Sequence, residues 1–300
     1  MGDNKLTKAG SRRDVERKRT TTLMALPGAI FYSFFFIVPV SMGVYYSFTD
    51  WNSVKRTNNF AGFTNYIKAL TNKRFAKSIV FNAQYTVLYV VCVLVLAILI
   101  ALLLNQKVKG ITVFRALYFL PAVFSGVTIS LIFQQIFFRV LPAFGQTTGI
   151  EFLQTSLLSS KTTAKYAILF VNLWCRLPMM SILVLAGLQT VPDDLIDAAK
   201  IDGANNRKVF HYVTVPHLIP TLSIVLVMAV KEGLMIFDLI KVLTDGGPNN
   251  ATRSLSMLIY SDAFENKKYA FAMAEAIIVG FMIAAISYAQ IKISSKDNTQ

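Results

Sequence analysis

Cysteine, histidine and tryptophan are scarce in this chain, with two of each among 300 residues. Cys92 and Cys175 both sit inside apolar runs, which suits small buried hydrophobes and not a disulfide. His211 and His217 lie six residues apart with Pro216 between them, so they do not share a helix face that could hold a metal ion. Charge is sparse as well: 15% of residues are Asp, Glu, Lys or Arg, where a soluble domain carries about 25%. No G-x-x-x-x-G-K-[ST] phosphate loop, H-E-x-x-H or C-x-x-C pattern and no Ser–His–Asp arrangement occurs. These absences remove nucleotide hydrolysis, zinc peptidase chemistry and thiol redox work from consideration. Low-complexity linkers and internal repeats of the transporter kind are missing too.

What is present is apolar length. Hydrophobic residues make up 54% of the chain and mean hydropathy is +0.52. Six windows, near 23–48, 82–104, 116–138, 165–188, 219–241 and 268–291, are nearly free of charge. At about 1.5 Å rise per helical residue, each spans the roughly 30 Å of a bilayer core. Buried strands are several times shorter. The fold class expected is therefore an all-α membrane protein of one domain. The first window is too long for the apolar part of a signal peptide and shows no small-residue cleavage site, so it reads as a retained helix.

The net charge is +14. Next to membrane spans, basic residues serve topology and anionic lipid contact, so no nucleic-acid partner is expected. Lys5, Lys8, Arg12, Arg13, Arg17, Lys18 and Arg19 cluster before the first span, which predicts a cytoplasmic N-terminus. With six spans the C-terminus is cytoplasmic too. The expected division is a basic tail over 1–22, a membrane domain over 23–292 containing a cytoplasmic loop at 189–218, and a short tail over 293–300.

That loop is too long for a connector. Pro192 suits the first position of a helix, and Asp193 and Asp194 place negative charge in its first turn. Gly203 can adopt the left-handed conformation that ends it. Asn205 or Asn206 can cap a second helix. Val209, Phe210 and Val213 form its apolar side, and Pro216 is expected to close it. A two-helix element of this kind either packs on its own membrane domain or docks a soluble partner.

Asp197-Ala198-Ala199, Asp202-Gly203-Ala204, Phe210, and Pro216 with Pro220 resemble the "EAA" loop of permease subunits in bacterial ATP-binding-cassette importers, with Asp197 where Glu is usual. Phe237-Asp238, Thr244, Gly246-Gly247-Pro248, Thr252 and Ile259-Tyr260 are similar to the carbohydrate-type permeases. So are Phe60, Gly62-Phe63, Asn65-Tyr66 and the stretch from Phe114-Arg115 to Leu120-Pro121. The resemblance implies the type I ABC importer permease fold in a bacterial cytoplasmic membrane and transport of a sugar or oligosaccharide. It also implies a second permease subunit, a dimer of ATP-binding subunits that carries ATP and magnesium, and an extracytoplasmic solute-binding protein. No cofactor is expected on this chain, and no enzymatic activity. Asp197, Ala198, Ala199, Asp202, Gly203, Ala204, Phe210 and Pro216 would couple it to the ATPase.

Charges within membrane spans are costly and usually functional. Arg176, Lys231, Glu232 and Glu275 stand out, two of each sign. Asn172, Trp174 and Arg176 on the fourth span, with Lys231, Glu232 and Asp238 near the end of the fifth, are candidates for a substrate path. Amides, carboxylates and guanidinium groups hydrogen-bond hydroxyls well, and an aromatic face suits a sugar ring. The same residues could instead bind helices together. Gln134 and Gln135 are weaker candidates of the same type. A self-contained secondary transporter, coupled to protons or sodium through Glu232 or Glu275, is the second reading. A permease for a polyol or sugar phosphate is the third.

Overall fold

The computed structural model describes residues 20–52, 59–106 and 108–297, with side chains to residue 292. The basic tail therefore lies outside the described residues as far as residue 19. The elements are α1 (Thr20–Ser47), α2 (Thr64–Leu70), α3 (Lys73–Leu104), α4 (Ile111–Val123), α5 (Gly126–Thr148), α6 (Lys161–Leu188), α7 (Asp193–Ile201), α8 (composed of Asn206–Val209, Phe210–Thr214 and Val215–Leu234), α9 (Asp238–Leu243), α10 (Leu255–Tyr260) and α11 (Tyr269–Asp297). The described residues contain six helices long and apolar enough to cross a membrane: α1, α3, α5, α6, α8 and α11.

The core is built on α3, α6 and α8. On α3 the buried positions include Phe81, Tyr85, Tyr89, Val93, Ala97 and Ala101, every fourth residue, which lines up one helix face. The intervening Val87, Val91, Val95 and Leu99 are exposed, as lipid-facing positions should be when no water is present to penalise them. Small residues let the backbones close in. A Cβ on Gly187 would come within 2.6 Å of Thr221 Oγ1, and one on Gly233 within 2.9 Å of Thr86 Oγ1. The described apolar window of α1 is not buried at all, and Phe34, Phe35 and Phe36 all face outward.

Three spans differ from their expected boundaries, the fifth by its earlier start. α3 begins nine residues earlier than the expected 82, because Asn72 Oδ1 accepts from Arg74 N at 2.9 Å and caps it there. The third expected span, 116–138, is cut in two. Phe124 and Ser125 are extended, at ψ 149° and 133°, so α4 ends at Val123 and the spanning helix is α5. Pro121 and Gly126 flank the cut, and both weaken helical continuity.

The expected closure at Pro216 is also corrected. The chain stays helical from Asn206 to Leu234, with a π-turn at Phe210–Thr214 in which Val215 N donates to Phe210 O. The wider turn provides room for a proline whose ring would clash in a regular α-helix. So the second half of the loop is the start of the fifth span, and only α7 stands apart from the spans. At the other end of the chain the helix continues past residue 293 to Asp297.

Candidate functional site

α6 and α8 lie side by side, and α8 stops just where polar residues collect. Met235 and Phe237 leave helical geometry, Phe237 with φ −137° and ψ −64°. The break exposes the last carbonyls of α8, and Asn82 of α3 takes them up. Its Nδ2 donates to Leu234 O at 2.8 Å, while its Oδ1 accepts from Leu255 N at 2.8 Å. One buried amide thus ties α8 to α10.

Beside this break is a cavity of about 370 Å³, whose lining includes Asn172, Arg176, Lys231, Glu232, Asp238 and Gly126. Five of the six expected path residues meet here. Asn172 and Arg176 are four apart on α6 and share a face. Lys231 and Glu232 come from the end of α8, and Asp238 from the first turn of α9. Trp174 does not join them. Two residues from Asn172, it points roughly 200° away around the helix and meets Phe133 edge-on at 5.3 Å. It lines a separate apolar groove with Leu117 and Phe170. Glu275 is also elsewhere: it is wholly buried in the first turns of α11, with both carboxylate oxygens unpartnered among the described residues.

A layer of tyrosines on α3 supports the cavity wall. Tyr85 and Tyr89 are fully buried and stacked at 6.2 Å, 7° from parallel. Asn172 Nδ2 donates to Tyr85 Oη at 2.9 Å, and Tyr89 Oη donates to Glu232 Oε2 at 2.9 Å. Sequence reasoning missed Asn82, Tyr85 and Tyr89. The signal was there: three polar side chains at 82, 85 and 89 on one face of an apolar helix. No ion pair joins Arg176, Lys231, Glu232 and Asp238 among the described residues, and Glu232 has Tyr89 as a hydrogen-bond partner. Gln134 has a structural task, donating to Val242 O of α9 at 2.6 Å.

The second candidate region is the α7–α8 turn. Gly203 has φ +80°, its N–H bonds Lys200 O at 3.0 Å, and Ala204 N bonds Ala199 O at 2.9 Å. This pair of bonds is a Schellman ending, which calls for glycine at that position. Asn205 Oδ1 accepts from Lys208 N at 2.9 Å and caps α8. Val209 is buried and Phe210 half-buried, in a segment that packs on α7. Asp197, Ala198, Asp202, Gly203 and Pro216 are exposed, and Ala199 and Ala204 half-buried. Among them stand Leu195 (50% exposed) and Ile201 (86%), large apolar side chains of the sort that mark a contact surface.

The family described as "Binding-protein-dependent transport system inner membrane component" matches residues 66–296. The chain is 45% identical over 262 residues to the multiple sugar-binding transport system permease protein MsmF of Streptococcus mutans, covering 87% of this chain and 90% of that one. It is 31% identical over 304 residues to the trehalose/maltose transport system permease protein MalF of Thermococcus litoralis, covering 97% and 98%. Its fold is similar to that of a solved bacterial ABC transporter involved in import of the acidic polysaccharide alginate. There the TM-score is 0.83 over 95% of this chain and 98% of that one, at 20% identity.

Proposed function

Because the chain belongs to the family of binding-protein-dependent transport system inner membrane components, we propose that it is the permease subunit of a sugar importer and that the α6–α8 cavity is its part of the path. The observation that carries the reading is the convergence of Asn172, Arg176, Lys231, Glu232 and Asp238 on one cavity in a chain whose relatives are named for saccharide transport. Two cations and two anions leave that wall without net charge, which suits a neutral solute with many hydroxyls better than a sugar phosphate. Glu232 and Asp238 accept from hydroxyls, while Arg176 and Lys231 donate to them.

The chain itself has no nucleotide site, and a separate ATPase supplies the energy. Its seat is the α7–α8 turn, with Asp197 to Ala204 on the contact face and Phe210 anchoring it. Because α8 is continuous from this turn to the break beside the cavity, a push on the turn is carried along one rigid element to the solute. The turn faces the cytoplasm, as do both termini, held there by the basic residues from Lys5 to Arg19. A second permease completes the pathway, and a solute-binding protein delivers the sugar on the other side.

Affinity purification of the chain from native membranes, with mass spectrometry of what accompanies it, tests the assembly. An ATPase, a second permease and a binding protein are expected. Recovery of the chain alone, under detergents that preserve other complexes, would sink the assignment and favour a self-contained carrier. Ligand screening of the recovered binding protein then names the sugar.

A further inference from the structure

A second polar pocket, of about 310 Å³, lies at the end of the bundle away from α7, lined by Asn65, Lys68, Asn72, Arg74, Lys268 and Phe271. Three of its residues are cationic and none is acidic. Lys68 and Lys268 have no ion pair among the described residues. Arg74 reaches Asp262 at 3.5 Å. Asp262 and Glu275 are both wholly buried, and neither lines the pocket. Asn72 Oδ1 is committed to the cap of α3, which leaves its NH₂ to donate. The N-terminal ends of α3 and α11 both border the space and add the positive ends of their dipoles. Lys68, Lys268, the Asn72 amide and the two helix ends favour an anion, while the buried Asp262 offsets Arg74.

The surroundings indicate where that anion sits. α2 and the residue that precedes it present Phe63 (68% exposed), Ile67 (61%) and Leu70 (63%) at i, i+4 and i+7, an apolar stripe beside the cationic Lys68. Apolar stripes of this kind flanked by basic residues lie in the interface of a membrane. Trp51 stacks on Tyr269 at 5.1 Å and on Tyr46 at 4.7 Å, an aromatic group of the sort found at headgroup level. Ala270 N donates to Trp51 O at 3.2 Å, which fixes that group to the start of α11, next to Lys268.

We propose that this pocket holds the phosphate of an anionic phospholipid headgroup, with the acyl chains lying along Phe63, Ile67 and Leu70. Lys68 and Lys268 are the groups that select it, and Arg74, shared with Asp262, positions the wall. The lipid would fasten α2 and the starts of α3 and α11 together at the membrane surface.

The test is native mass spectrometry of the full-length chain, titrated with phosphatidylglycerol in detergent, for wild type, the Lys68→Ala/Lys268→Ala double variant and Lys68→Arg/Lys268→Arg. At about fivefold for each basic residue facing an anionic headgroup, the Ala pair is expected to weaken the tightest lipid adduct roughly 30-fold. The Arg pair should keep it, and phosphatidylcholine should bind weakly to all three proteins. Unchanged phosphatidylglycerol binding by the Ala pair would overturn the proposal. So would displacement of the lipid by millimolar inorganic phosphate, which assigns the pocket to a free anion. Loss of binding-protein capture with lipid binding intact would reassign the patch to a protein partner and overturn it as well. Both lysines are exposed, and equal thermal midpoints of the detergent-purified variants confirm that folding is not what changed.

Discussion

At its N-terminal end α8 carries Pro216 and Pro220 and stays helical; at its C-terminal end, from Lys231 to Phe237, it has no proline and breaks. Local punctuation predicts the reverse. The π-turn at Phe210–Thr214 makes room for the Pro216 ring, and the chain stays helical through Pro220. At the far end the cause is tertiary. Gly233 is pressed against Thr86, and Asn82 accepts the task of bonding the Leu234 carbonyl, so a helical continuation has no advantage there. The difference makes one end a continuous helix and the other a polar opening.

The sharpest way to break the proposed coupling is at the α7–α8 turn. Gly203→Val forces a β-branched residue into φ +80°, at about 1–2 kcal/mol, although a Cβ there would meet nothing within 4 Å. Uptake in cells is expected to fall to background with membrane levels of the protein unchanged; wild-type uptake would refute the docking role. Gly203→Asn, which tolerates the left-handed region, should keep most of the activity and so separates conformation from side-chain loss.

Breaking the other end is next in size. Asn82→Ala strands the Leu234 carbonyl and the Leu255 N–H, a loss of about 1–3 kcal/mol, seen as a lower thermal midpoint in detergent. A midpoint equal to wild type would mean that the break at Met235–Phe237 holds without the amide.

Tyr89→Phe probes the cavity wall. It removes the hydrogen bond to Glu232 Oε2 and leaves the ring stack in place. The half-saturating sugar concentration in reconstituted uptake should rise about 2–10-fold, from roughly 0.5–1.5 kcal/mol, with the maximal rate nearly constant. A fall in maximal rate alone would point to a role in movement instead of binding.

The smallest effect concerns the tether of α9. Lys241 Nζ lies 2.8 Å from Asp245 and 2.9 Å from Glu265. The hydrogen bond from Ser261, with help from Lys241, holds the Glu265 carboxyl below its ordinary pKa. A lowered folded pKa gives stability that is fully present above the usual Glu value of about 4.3 and is lost as pH falls through the folded one. Glu265→Gln should therefore lower the thermal midpoint slightly at pH 7 and not at acid pH. Exposure of the pair keeps the effect small and sensitive to salt.

Most of the architecture was legible in the residues. Apolar length marks spans directly, because a bilayer requires about twenty such residues in a row. The Gly203 ending and a cap at Asn205 or Asn206 were readable because each is a local bond satisfied within five residues. Residues 172 and 176 could be paired by helical spacing. Trp174 could not be placed by type alone, since its identity suits a sugar but its position puts it on the other side of α6. The cut at Phe124–Ser125 was within reach, from Pro121 and Gly126, but hydropathy averaged over it.

The sequence by itself determined that this is a helical membrane protein, where most of its spans lie, and the form of the turn between α7 and α8, because hydropathy and capping act over a few adjacent residues. Only the tertiary structure decided that α8 breaks at Met235–Phe237, that Asn82, Tyr85 and Tyr89 hold the site from behind, and that Trp174 stays out of it. Those outcomes depend on which helices approach closely enough to exchange hydrogen bonds, and that approach is set by small residues and buried faces far apart in the chain.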